Sequence, residues 1–331
     1  MKNFLSYRTQ CIRIALLCAL IAGFHAVGSA TTVVSTIPMW GAGPVRIAVS
    51  PNRSRAYVSN RDSDLINVID TTTHTVIGGV FVQPSPGAPH GLAVTLDESQ
   101  VWVANRASGT INVIDANSLQ VIGLINVGGQ PDTVVFSHDG TRAFIPNTTF
   151  GLGVYHVGLF VPFGFIAVPF VQTSIVVSDD DRIGYLGVMD PDGSNVHTRV
   201  VDLTIFSLSP LPPLAELPHT WLTLFNQNAS TGWGLNPNTN TISLVHVGRL
   251  EIRTNITVSP SPQKVALSPN GKRLYVACDL SNEVRVFAAS NGQLLETVPV
   301  SGRPTDIVVL PDGKTAYVAQ ADNGSIAVLA L

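Results

Sequence analysis

A chain of 331 residues with 45% hydrophobic and only 12% charged residues can bury a large core, which excludes an intrinsically disordered protein. A formal net charge of −3, with no basic stripe interleaved with aromatics, argues against a nucleic-acid partner.

Met1–Ala30 reads as a secretory signal peptide. Lys2, Arg8 and Arg13 form a basic n-region, Ile14–Phe24 an apolar h-region, and Gly28-Ser29-Ala30 a small-residue cleavage site, with cleavage expected after Ala30. The apolar run is well short of the roughly 20 residues that a membrane span needs, so no transmembrane segment is expected after cleavage. Leu17 before Cys18 is too large for the usual lipidation box. The expected location is periplasmic or extracellular. Without the leader the chain carries 16 basic against 22 acidic residues, and Cys278 is left without a cysteine to pair with.

From there the sequence repeats. Ala56–Asp70 (AYVSNRDSDLINVID) returns as VWVANRASGTINVID at Val101–Asp115 and, more weakly, as LYVACDLSNEVRVF at Leu274–Phe287. A period in the low forties built from strand-like segments and turn residues is the signature of propeller blades. Seven units start near Pro44, Pro89, Pro131, Gln172, His219, Pro262 and Pro304. In the first, Val45–Ser50, Arg55–Ser59, Leu65–Asp70 and Thr75–Val82 read as four strands joined by hairpin turns, from the ring's centre outward. Asp139-Gly140, Asn270-Gly271 and Asp312-Gly313 repeat the first turn, because Gly accepts a positive φ there and Asp or Asn tolerates it. Asp97-Glu98 and Asp179-Asp180-Asp181 occupy the same place and read as turns rather than as catalytic or metal-binding carboxylates.

Tyr57-Val58-Ser59-Asn60, Trp102-Val103-Ala104-Asn105 and Phe144-Ile145-Pro146-Asn147 resemble the YVTN-type β-propeller repeat, and strands such as Asn67-Val68-Ile69-Asp70 and Asn112-Val113-Ile114-Asp115 follow the first two. The resemblance implies an exported or surface-layer-like propeller, in a family that includes binding proteins and whose relatives serve as enzyme subunits. It is specific for fold and says little of function. Units four and five depart from the pattern, with Asp190-Pro191-Asp192-Gly193, the run Ser209–Pro213 and an atypical inner strand at Trp221–Asn226. Unit seven stops after its third strand, Ser325–Ala330, and Thr31–Met39 supplies the missing outer strand. The expected fold is therefore all-β, a seven-bladed propeller of four-stranded antiparallel blades spanning residues 31–331 as one domain, with the N-terminal strand completing the last blade.

Ligands of such rings bind at the mouth of the central channel. By repeat position, one set of candidates is Arg46, His90, Asp132, His219, Lys264 and Asp306, and another is Asn60, Arg61, Asn105, Arg106 and Asp279. The Asn positions also have a structural reading, as partners for backbone groups of their own loops. No GxSxG elbow, Walker A loop, HExxH or CxxCH occurs. Asp279 next to Cys278 would hold that thiol's pKa up rather than activate it. The expected function is a monomeric, non-enzymatic binding or scaffold protein for a small molecule, peptide or protein, with no cofactor, no metal and no catalytic residues. The alternative is a lactonase-like hydrolase or the propeller subunit of a periplasmic oxidoreductase.

Overall fold

The computed structural model describes residues 30–331 except Arg53, Phe150, 169–170, 205–206, 209–215 and 226–229. The expected leader thus lies outside the described residues, Ala30 excepted. What is described is a closed ring of seven antiparallel blades, each with its first strand at the centre. Blade one is Pro44–Val49, Arg55–Asn60, Leu65–Asp70 and Thr75–Phe81, within a residue or two of the strands expected from the sequence. The strands are short, rich in Val and Ile, and bounded by turns, which suits a pleated surface buried on both faces.

The second strand of every blade carries an aromatic residue at one position: Tyr57, Trp102, Phe144, Tyr185, Trp233, Tyr275 and Tyr317, all buried. Each belongs to a different apolar cluster, and each cluster spans two neighbouring blades. Tyr57 packs with Val101 and Val103, for example, and Tyr317 packs with Ala56 and Val58 across the closure. The core is therefore seven inter-blade layers rather than one central mass, and the channel is left free for other chemistry.

First turns of the described blades are held by their own side chains. Asp139 Oδ1 accepts hydrogen bonds from the Ser137 hydroxyl (2.5 Å), the Thr141 amide (2.9 Å) and the Thr141 hydroxyl (2.8 Å). Asp97 and Asp180 bond their own turns in the same way. Asp181 reaches the neighbouring turn instead, accepting from the amides of His138 (2.8 Å) and Asp139 (3.0 Å). These carboxylates are committed to hairpins, as their turn pattern implies.

Blade four departs most from the repeat. Its second strand, Ile183–Met189, runs through a turn at Asp190–Gly193 into Val196–Asp202, and two short strands, Ser207–Leu208 and Glu216–Pro218, share the outer position. The last blade consists of Pro304–Val309, Thr315–Gln320, Ser325–Ala330 and the N-terminal strand Thr32–Pro38. Thr32 faces Ala330 and Ile37 faces Ile326 across this antiparallel pair. No helix of the described residues is long and apolar enough to cross a membrane.

Candidate functional site

Residues of the first strands of blades one to six, and of the loops beside them, line a cavity of about 630 Å³. Register decides what faces it. In blades one, four, six and seven the register shifts by one residue at the start of the first strand. Such a bulge re-aims the next side chain. The residues just past the shift are Arg46, Ser174, Lys264 and Asp306. Blade five has its shift later, between Leu222 and Leu224, so Trp221 takes the equivalent place. Arg46, His90, Arg106, Asp132, Trp221 and Lys264 line the cavity, together with the apolar Val135, Phe136, Ile175, Val177 and Leu235 and the polar Ser174, Thr223 and Gln263.

His90 is buried, with Nδ1 3.1 Å from the Asp132 carbonyl and 3.4 Å from the Asp132 carboxylate. Loss of water around the imidazole pushes its pKa below the usual histidine value; Asp132 opposes this and Arg46 and Arg106 add to it. A neutral imidazole at neutral pH follows. The tight approach needs Gly91, whose amide donates to the Asp132 carbonyl at 2.9 Å and where a Cβ would stand 2.5 Å from that same oxygen. Arg106 Nη1 lies 3.5 Å from Asp132 Oδ1.

Arg46 donates through Nη1 to the carbonyls of Thr305 (2.9 Å) and Val45 (3.2 Å), which ties blade one to blade seven. Asp306 completes that seam, accepting from the amides of Ile47 (2.8 Å) and Ile307 (2.9 Å). Lys264 lines the cavity and makes no hydrogen bond or ion pair with a described residue. Burial lowers its pKa from the usual lysine value; Asp306 opposes the shift, Arg46 adds to it, and Asp132 opposes it.

Of the sequence candidates, the cavity thus gathers Arg46, His90, Arg106, Asp132 and Lys264. The others sit elsewhere. Asn60 and Asn105 are fully buried; their Nδ2 groups donate to Asn67 Oδ1 (3.0 Å) and Asn112 Oδ1 (2.8 Å), and these oxygens also receive the amides of Trp40 and Gln83. They brace loops between blades, the backbone role that asparagine performs well. Asp279 is held by both arms of the Arg303 guanidinium, at 2.7 and 2.8 Å. Asp306 is buried and committed to backbone amides. Arg61 is exposed and pairs with Asp62 at 2.8 Å, away from the cavity lining. His219 is exposed and precedes the first strand of blade five, beside His197 and Asp190 in a separate hollow of about 330 Å³. Cys278 is fully buried and its thiol is pushed up to about 12, first by burial and then by Glu283, so the cause is not its neighbour Asp279.

Trp221, Ser174 and Arg303 were missed from the sequence. Trp221 donates Nε1–H to the Val188 carbonyl at 2.9 Å, which fixes the indole against the cavity wall. Its signal was an aromatic residue beginning an otherwise atypical first strand. Among the described residues, no group of three or more His, Cys, Asp or Glu side chains is assembled that could hold a metal ion.

Two family models match parts of the chain: a YNCE-like β-propeller over residues 21–142, and a seven-bladed β-propeller lactonase over residues 240–331. No curated protein matches it. Among solved structures it is similar to Kuenenia stuttgartiensis hydrazine synthase, with a TM-score of 0.79 and 18% identity over 93% of this chain and 99% of that chain. It is also similar to the β-propeller domain of Cps50 (Swd1) from Myceliophteria thermophila, with a TM-score of 0.76 and 9% identity over 91% of this chain and 100% of that chain. At these identities the likeness is one of fold. Seven four-stranded blades in a closed ring, with propeller models matching at both ends, make this chain a seven-bladed β-propeller.

Proposed function

We propose that the protein is an exported, non-enzymatic propeller of the YVTN type that binds a small ligand in its central cavity. The observation that carries this reading is the cavity itself: about 630 Å³, with polar and apolar wall in similar measure and Arg46, His90, Arg106, Asp132 and Lys264 all in its lining. A concave space that combines apolar wall with placed polar and charged groups is the usual form of a small-molecule site. The leader-like Met1–Ala30 supports export to the periplasm or beyond. A hydrolytic reading draws its support from the lactonase-type match over residues 240–331.

One screen separates the two. Purified protein is melted with a broad set of small acids, bases, neutral compounds and peptides, and assayed on lactones and esters with and without a chelator. A ligand that binds only the native state raises the melting temperature. Stabilisation by a cavity ligand without turnover is the expected result. Turnover that a chelator abolishes would replace the binding reading with the hydrolase.

A further inference from the structure

Resting on that reading, we propose that the cavity's ligand is an amphiphilic organic anion: its acidic head meets Lys264 and Arg46, with Arg106 across the mouth, and its apolar body lies against Phe136, Ile175 and Trp221. The charge balance of the lining motivates this. It holds three Arg or Lys side chains and a single Asp or Glu, Asp132. That carboxylate already faces Arg106 and His90. Asp306, the other acid near Lys264, spends its two oxygens on the amides of Ile47 and Ile307.

Lys264 is then a half-buried amine with no hydrogen-bond or ion-pair partner among the described residues. Withdrawing such a cation from water without a bonded acceptor is costly, and loss of water accordingly lowers its pKa, with Asp306 only partly opposing the shift. The chain uses lysine sparingly: Lys2 lies outside the described residues, and Lys272 and Lys314 are exposed in hairpin turns. Arg46 is half satisfied in the same sense. Its Nη1 bonds two carbonyls, and no described residue accepts from Nε or Nη2. An anion placed between them supplies the missing acceptor for both, and charge-assisted bonds of this kind are the strong ones. Beyond the head, the wall offers branched aliphatic and aromatic surface from Val135, Phe136, Ile175, Val177 and Leu235, beside hydroxyls such as Ser174 and Thr223. An apolar body covers that apolar surface, which a fully polar anion such as a sugar acid would leave uncovered. Carboxylate and phosphate heads share the required chemistry.

The test uses four probes with an aryl body: 4-phenylbutyrate, phenyl phosphate, 4-phenylbutanol and 4-phenylbutylamine, each followed by thermal shift and calorimetry on the whole protein. One or both anions should bind, the better of them identifying the head, while the alcohol and the amine do not. Lys264→Met should weaken the bound anion by about tenfold or more, the worth of one charge-assisted bond. The unliganded variant should melt no lower than the parent, because it sheds an unpaired charge rather than a bond. Equal or better binding of the alcohol or amine would overturn the anion assignment and leave the binding reading standing. Silence from both anions would overturn it too, whereas the binding reading falls only if the broad screen also finds no cavity ligand. A Lys264→Met protein that is clearly destabilised without ligand would show a structural partner for the lysine and end the argument.

Discussion

Ring closure rests on one strand, and a single side chain in it shows by how much. Ile37 is 3% exposed and packs with Ile47, Ala56, Tyr317 and Ile326, so it joins the N-terminal strand to blades one and seven together. Val34, in the same strand, is 60% exposed. Truncating a fully buried isoleucine to alanine costs about 2–5 kcal/mol, whereas an exposed site costs roughly 0.5 kcal/mol or less. Against a total stability of about 5–15 kcal/mol, Ile37→Ala should therefore remove a large part of it, and Val34→Ala almost none. Deleting Thr32–Pro38 outright goes further, because it uncovers Ser325–Ala330, whose Ile326, Ala327, Val328 and Leu329 are all buried. An open edge of that composition is a template for aggregation. Equilibrium urea unfolding of the two point variants, with light scattering of the deletion, provides the measurement. If Ile37→Ala unfolds with Val34→Ala, or if the deletion melts like the full chain and stays dispersed, the strand does not hold the ring.

Three further outcomes are expected. Arg106→Ala should weaken any ligand of the cavity by about tenfold without changing the melting temperature, while Arg61→Ala, out on the rim, should leave binding alone; titration calorimetry compares them, and the reverse order would move the site outward. Cys278, with a thiol pushed up to about 12, should resist alkylation at pH 8 in the folded protein and react only when denaturant is added, as followed by intact mass. Asp139, held near a pKa of about 2 chiefly by the Ser137 hydroxyl, should contribute stability that is complete above the ordinary carboxylate range and lost as pH falls toward that value. Asp139→Ala should flatten that acid limb by about 1 kcal/mol, solvent screening being considerable in an exposed turn; an unchanged limb would put the hydrogen bonds of this turn in doubt.

The fold was legible because its determinants are local and recur. An aromatic residue three positions before Asn in the second strand, as in Tyr57 and Asn60 or Trp102 and Asn105, marks both the inter-blade layer and the loop brace in one short motif. The site was legible only in part, because facing the channel depends on where each first strand shifts register. Counting from a repeat start lands on Arg46 and Lys264, where the shift follows the first paired residue, Pro44 or Pro262. It lands on His219 in blade five, where the shift is displaced and Trp221 faces the cavity instead. Asp279 and Asp306 hold places in their repeats equivalent to those of Arg106 and Arg46, yet neither lines the cavity. Their partners, the Arg303 guanidinium and the Ile47 amide, come from neighbouring blades, and pairing across a blade boundary leaves no trace in any single repeat.

The pairing of Thr32 with Ala330 also sets the order in which this molecule can be finished. A ribosome delivers the N-terminal strand first and its partner last, so the earliest segment of the ring must stay unpaired while six blades are laid down behind it. Each intermediate layer can form as its two blades arrive, since its contacts are with the next blade along. The seam between blades seven and one cannot, and the Arg46–Thr305 and Ile47–Asp306 bonds belong to it. Long-range contacts of this kind form slowly because the whole intervening loop must close first. Completion of the ring thus waits for the last strand of blade seven, and the same step forms the bond of Arg46 to Thr305.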